Sequence, residues 1–231
     1  MGRTMQKRLV RKLDLELFLS QIQPPPTPKP SLEQYTIPAD VAATMLYMAA
    51  YTYNDIINKK VLDLGCGTGR LALGAAFLGA KHVVGVDIDK SAVKMAFENS
   101  LKANLKGKAE WIAGDIDAVH GNFDTVLQNP PFGVQKPRAD RKFLQKALET
   151  GKFIYSLHKS PRKDKAFVKK VKARKNSFMP IAPSPFFKRF IETHGGKIRA
   201  VYATLMTIPH MFPFHTKRKH EFVAELYVIE S

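Results

Sequence analysis

The residues best equipped for chemistry sit in four short stretches, each directly after an apolar run. Asn129-Pro130-Pro131-Phe132, within "TVLQNPPFGVQ", offers carbonyl oxygens and few donors, because proline carries no N–H. A planar amino group suits such a loop. The Asn129 carbonyl can accept one amine hydrogen and the Pro130 carbonyl the other, while Phe132 supplies a flat face for stacking, worth about 1 to 3 kcal/mol. In "VLDLGCGTGRLALGAAFLG", Gly65, Gly67 and Gly69 flank Cys66 and Thr68 between a buried strand and a small-residue helix. Glycines there permit a tight turn and close backbone approach to a nucleotide-like ligand. The spacing is G-x-G-x-G, not the dinucleotide G-x-G-x-x-G, which gives little reason to expect a pyrophosphate. Asp63 supplies a carboxylate suited to a cationic or amine-bearing cofactor. Asp87, with Ile88 beside it, closes the next apolar run 22 positions after Gly65 (87 minus 65), where doubly wound folds hold ribose hydroxyls. Asp89 is the natural N-cap of the following helix. Asp115, in "IAGDIDAV", can receive an adenine amino group, with Ile116 packed on the ring.

Positioning these residues requires strands that end together. Short apolar runs alternate with helical stretches from Lys60 onward, the signature of a parallel sheet covered on both faces. Strands are expected at 61–64, 83–87, 110–112, 124–128, 153–157, 199–207 and 222–229. The expected fold is α/β, a doubly wound, seven-stranded, mostly parallel sheet with an antiparallel last strand. Strands 1 and 4 are neighbours in the common doubly wound orders, so the glycine loop and Asn129 should emerge side by side, roughly 5 Å apart. Ahead of this domain, Leu9, Leu13 and Leu17 lie four apart with Val10 and Phe18 alongside, predicting an amphipathic helix over 5–20. "PPPTPKP" then forbids helix and favours a stiff extended spacer. The organisation is therefore an N-terminal helix and Pro-rich spacer, 1–30, and a main domain, 31–231. A helix is expected over about 39–54, with Val41, Met45, Met48 and Ala49 on one face.

Apolar residues at 45% and aromatics at 10% suffice for a packed core and argue against disorder. No run approaches the roughly 18 apolar residues of a membrane span, and the first residues mix charge into their apolar positions unlike a signal peptide. A cytosolic protein is expected. The one cysteine, Cys66, excludes an intrachain disulfide, and the histidines form no metal-ligand pattern. With no base partner in sight, Cys66 reads as a packing residue. A formal charge of +17, from 37 basic and 20 acidic residues, suits a polyanion such as nucleic acid, although a lysine-rich surface serving solubility gives the same count. Nine Lys or Arg against one acid lie between Lys159 and Lys175, in a basic insertion of about 159–185. His158 and Lys159, after the fifth strand, and Lys217, Arg218 and Lys219, between the last two, are candidate substrate contacts.

Together these stretches resemble the class I S-adenosylmethionine-dependent methyltransferases, and Asn129-Pro130-Pro131-Phe132 resembles the motif of members acting on planar nitrogens. "LEQYTIPADVAATMLY", "VGVDIDKSAV", "FDTVLQNPPFG", "YSLHKS" and "FHTKRKHEFVAELYVI" extend the likeness to the methyltransferase-like small-subunit rRNA adenine-N6 methyltransferases and their archaeal relatives. The resemblance implies cofactor contacts at Gln34, Tyr35, Thr36, Gly65, Thr68, Gly69, Arg70, Asp87, Asp115 and Ile116. It also implies S-adenosylmethionine as donor, S-adenosylhomocysteine as product, and adenine in small-subunit rRNA as acceptor. A small zinc-binding activator subunit is implied too. An edge strand at Glu110 to Ile112 would invite it by strand addition, with Trp111 and Ile112 as apolar contacts. The motif alone also fits a protein glutamine amide, a guanine N2 or a cytosine N4. A non-catalytic RNA-binding factor would share the fold but need none of Asp63, Asp87 and Asn129.

Overall fold

The computed structural model describes residues 9–132, 138–174, 177–209 and 219–231. Eight strands form one sheet in the order β3-β2-β1-β4-β5-β8-β7-β6. They are β1 (Lys60–Leu64), β2 (His82–Asp87), β3 (Ala109–Ala113), β4 (Phe123–Gln128), β5 (Gly151–Lys159), β6 (Met179–Pro180), β7 (Lys197–Pro209) and β8 (Lys219–Glu230). The first five are parallel, and β8 runs antiparallel between β5 and β7. All seven expected strands are present. The eighth, β6, is a two-residue edge strand, and Pro180 within it gave no strand signal.

Apolar side chains of the central strands point to both faces, so helices cover both. On one side α1 (Lys12–Ser20), α2 (Ala39–Tyr47) and α3 (Arg70–Phe77) bury Leu15, Leu19, Met45, Leu46 and Leu71 against β1, β4, β5 and β8. On the other, α5 (Ala139–Thr150) and α7 (Pro185–Thr193) bury Leu144, Leu148, Phe187 and Ile191. There, α6 (Lys165–Ala173) packs Val171 in a smaller cluster with Ala203 and Val223. The remaining helix, α4 (Lys90–Lys102), lies by β2 and β3, capped by Asp89, which accepts from the Ser91 N–H at 3.0 Å. The helix expected over about 39–54 is α2 continued by a π-helical turn, Met48–Thr52.

The amino-terminal helix is shorter and faces differently from expectation. It starts at Lys12 and buries Leu15 and Leu19, while Leu9, Leu13 and Leu17 are 55–69% exposed. Two apolar rows run along this segment, and periodicity alone does not say which one meets the core. The same cluster that holds Leu15 and Leu19 also holds α2 and α3, and Ile22 is buried just before the Pro-rich spacer.

β3 is an edge strand, as its place in the order requires. Its two apolar side chains part company. Ile112 is 48% exposed, whereas Trp111 turns inward beneath the glycine loop, where a Cβ on Gly69 would lie 2.6 Å from the indole. Trp111 is therefore a packing residue under the loop rather than the outward contact the sequence suggested.

Candidate active site

Pairing register brings the chemical residues to one end of the sheet. Leu64 pairs with Val86 on one side and with Gln128 on the other, so Gly65, Asp87 and Asn129 leave three adjacent strands at one level. A cleft of about 250 Å³ opens there. Gly65, Gly67 and Thr68 line its floor, Asp87 and Ile88 one wall, Asp115 and Ile116 a second, and Asn129 and Pro131 a third. The segment after the Pro-rich spacer closes it, through Glu33, Gln34, Tyr35 and Thr36.

The glycine loop is built for close approach. Gly67 has φ +54°, and a Cβ placed on it would meet nothing within 4 Å, so its backbone faces open space where a ligand can lie. Gly69 (φ +87°) packs under the loop on Trp111 and does not face the cleft. Asp87 fixes the loop: its Oδ2 accepts from the Gly67 N–H at 2.8 Å and its Oδ1 from the Asp89 N–H at 2.9 Å. Burial pushes its carboxyl up, and those two N–H groups oppose the shift. Asp115 accepts from Lys142 Nζ at 3.0 Å and from the Asp117 N–H, also at 3.0 Å, which aims its carboxylate at the cleft end beside Ile116.

Two expected cofactor ligands play other parts. Asp63 is 1% exposed, does not line the cleft, and accepts from the Ala72 N–H at 2.9 Å, anchoring the first turn of α3. Gln34 reaches the cleft wall, but its amide ties the segment to the N-terminus of α4. Its Nε2 donates to Asp89 Oδ2 at 2.7 Å and its Oε1 accepts from the Lys29 N–H at 2.8 Å. Lys29 Nζ completes this latch on Asp89 Oδ1 at 2.8 Å. Burial alone would raise the Asp89 carboxyl, but Lys29, Ser91 and Gln34 hold it well below the usual carboxylate range. Arg70 donates to the carbonyls of Ile37 and Ile22 at 2.6 and 2.9 Å, and burial lowers its guanidinium to about 10.

Burial pushes the Asp63 carboxyl up to about 7, with Asp87 adding to the shift and the Ala72 N–H opposing it. Its folded pKa lies above the ordinary value near 4, so its contribution to stability is complete below that value and is lost as pH rises toward 7. Asp63→Asn keeps an acceptor for Ala72 and carries no charge. In thermal melts the variant is expected to gain on wild type as pH rises from about 5 to about 8. A Tm difference that does not move with pH would contradict this.

On the acceptor side, Asn129 Nδ2 donates to the Tyr35 carbonyl at 3.4 Å, while its Oδ1 is buried without a partner among the described residues. Phe132 lies under Tyr35 (centroids 6.4 Å, planes 22°) and against the edge of Phe222 at 5.2 Å. Pro130 is buried beneath the loop. Glu33, which the sequence did not single out, fastens this motif to the closing segment. It adopts φ +48°, is 6% exposed, and its Oε2 accepts from the Phe132 N–H at 2.7 Å. Its only signal was an acid next to Gln34 and Tyr35. Lys142 was also missed, because a lysine on a polar helix face looks like any other.

The substrate candidates divide. Lys159 is exposed, with its Nζ 5.8 Å from the centre of the Phe222 ring. His158 is 1% exposed and cannot border a mouth: it packs against Phe187 with the rings tilted (centroids 4.3 Å, planes 48°) and its Nε2 meets Ser156 Oγ at 2.7 Å, in a layer continued by Gln128. Lys217 and Arg218 lie outside the described residues, as does the side chain of Lys219. Among the described residues no group of His, Cys, Asp and Glu could hold a metal ion.

The cleft fits S-adenosylmethionine on its own features: an open glycine cradle, a fixed carboxylate at the end of β2, and an acid beside an apolar residue for a base. The family described as Methyltransferase small domain matches residues 39–153. A Danio rerio protein named rRNA N(6)-adenosine-methyltransferase METTL5 is 38% identical, over 65% of this chain and 75% of its own length. An uncharacterized protein of Methanocaldococcus jannaschii is 38% identical over 96% of this chain and 95% of its own. A Pyrococcus horikoshii protein described as a candidate RNA methyltransferase has a crystal structure matching with TM-score 0.80 and 36% identity, covering 96% of this chain and 98% of that one. With the sheet order and the cleft, these matches show that the chain belongs to the S-adenosylmethionine-dependent class I methyltransferases, in the family that includes the METTL5 enzymes.

Proposed function

We propose that this methyltransferase acts on the N6 amine of an adenine in RNA, with small-subunit rRNA as its substrate. The observation that carries this reading is the buried Oδ1 of Asn129 at the wall of the cleft, an acceptor without a donor among the described residues. A buried acceptor left unsatisfied costs about 1 to 3 kcal/mol, so it marks a place where a ligand's hydrogen belongs. The reading is supported by the Tyr35 carbonyl, which accepts from the Nδ2 at 3.4 Å and so leaves the Oδ1 end for a ligand. The METTL5 relatives support adenine as the acceptor.

In this reading the chain's residues position more than they react. Asn129 Oδ1 accepts one hydrogen of the target amine and the Pro130 carbonyl accepts the other. Phe132 stacks the base, which must be unpaired or flipped out of a helix to reach it. Both acceptors are neutral, so they raise the electron density of a poorly nucleophilic amine and align its lone pair without removing a proton. Asp87 holds the ribose hydroxyls, and Asp115 with Ile116 holds the donor's adenine. S-adenosylmethionine, when bound, supplies an electrophilic methyl group. The proton lost by the methylated amine leaves to solvent. The β3 edge, with Ile112 outward, is the surface proposed for a small zinc-binding activator, and the compartment proposed is the cytoplasm.

The test is to incubate the protein with labelled S-adenosylmethionine and small-subunit rRNA, digest, and identify the labelled product by mass spectrometry. N6-methyladenosine at a single position is expected. Label in a protein glutamine, in guanine N2 or in cytosine N4 would move the acceptor while keeping the amine chemistry.

A further inference from the structure

We propose that α6 is a phosphate-binding platform that holds the RNA strand flanking the target base, an inference that rests on the RNA reading above. Three observations converge on it. First, the helix is divided by face: Phe167, Val168 and Val171 pack against β7 and β8, while Lys165, Lys169 and Lys170 are exposed. Lys165, Lys169 and Lys172 recur at i, i+4 and i+7, which aligns them along the outer surface. Second, these charges are uncompensated. Of the helix's four lysines only Lys172 is in an ion pair among the described residues, with Glu221 at 2.7 Å. A lysine face serving solubility is ordinarily interspersed with acids, but α6 contains none, and Asp164 before it serves as N-cap, accepting from the Phe167 N–H at 2.7 Å.

Third, the helix stands where flanking nucleotides would pass. β5 ends beside the Asn129 loop, since Gln128 pairs with Ser156, and the chain runs from Lys159 through a short link into α6. Phe132 touches Phe222, and Lys159 lies over the same Phe222 ring. Ser160 is fixed there by its N–H to the Val223 carbonyl at 2.9 Å, and Val223 belongs to the cluster under α6. Phe132, Phe222 and Lys159 lie on the α1–α3 face and α6 on the other, so a strand leaving Phe132 would pass Lys159 at the strand end and turn over it, along the 160–164 link, to reach the lysines. The nine residues of α6 span about 13 Å, the reach of roughly two phosphates of an extended strand. The platform reads charge and spacing, not sequence, so it would strengthen binding of any single strand that presents its adenine to Asn129.

The experiment compares wild type, the triple variant Lys165→Gln, Lys169→Gln, Lys170→Gln, and a control triple, Lys60→Gln, Lys81→Gln, Lys152→Gln. The control removes the same charge at the opposite end of the sheet, from three exposed lysines. Affinity for a fluorescent single-stranded oligoribonucleotide with one central adenine is measured across a salt series, and donor binding by calorimetry. For the α6 variant the magnitude of the slope of log K against log salt should fall by about 1.4, the share of two phosphates on a single strand, and KM for RNA should rise about tenfold, with donor affinity unchanged. The control should behave as wild type. Equal losses in both triples would mean that net charge alone is sensed and would overturn the platform, as would an α6 variant with an unchanged slope. A wild type that shows no salt-dependent RNA binding while labelling a protein amide would overturn the RNA reading itself, and the platform with it.

Discussion

Asn129→Ala is expected to lower kcat by about 10²- to 10³-fold or more, the usual cost of deleting one preorganised hydrogen-bonding group at a reacting atom. Donor affinity should be nearly unchanged, because the role proposed for Asn129 is to hold the acceptor amine. Stability should change little. The deletion removes a buried oxygen that has no partner among the described residues and one long hydrogen bond, Nδ2 to Tyr35 at 3.4 Å. The informative companion is Asn129→Asp. A carboxylate keeps an acceptor for the amine but turns a second oxygen toward the Tyr35 carbonyl, where two acceptors repel. Its loss should fall between wild type and alanine. Rate, donor Kd and Tm measured on all three proteins separate positioning from folding. A full kcat in Asn129→Ala would remove the amine-positioning role, and a parallel fall in Tm would reassign the residue to structure.

The strand pattern was legible because apolar or alternating runs of three to nine residues, bounded by glycine, proline and aspartate, leave few alternatives. The same runs placed Gly65, Asp87 and Asn129 at strand ends, which fixes the cleft once the strand order is known. Three things were not legible, each for a physical reason. For α1, two apolar rows compete and only the tertiary neighbours decide between them, so Leu13 and Leu17 face solvent and Leu15 and Leu19 the core. For Asp63 and His158, the residue type says chemistry while burial says scaffold: Asp63 ties down α3, and His158 belongs to a layer with Ser156 and Gln128. For Glu33, the partner is the Phe132 backbone N–H, 99 positions away, and contacts with main chain leave no pattern in side-chain types. The closing segment was legible only through family resemblance, for the same reason.

Asp87→Asn carries the second large expectation, and it concerns the donor alone. Asp87 has both oxygens engaged by backbone N–H groups, from Gly67 at 2.8 Å and Asp89 at 2.9 Å, which holds the carboxylate still at the end of β2. Each oxygen keeps a lone pair for a ribose hydroxyl. An amide can serve the Asp89 N–H but must then present its own NH2 to Gly67, donor against donor, so the loop shifts and one hydroxyl loses its acceptor. Charge-assisted hydrogen bonds contribute about 1.5 to 3 kcal/mol each, so losing one with displacement of the loop should weaken donor binding by about 10²-fold. Asp87→Ala should be at least as damaging. Because burial raises the Asp87 carboxyl, donor affinity of the wild type should fall as pH drops through that raised value, since protonation removes the charge the hydroxyls face. The asparagine variant, uncharged throughout, should lose this pH dependence. Calorimetric titration of both proteins over a pH series gives the answer, and an Asp87→Asn affinity close to wild type at neutral pH would show that ribose recognition lies elsewhere in the cleft.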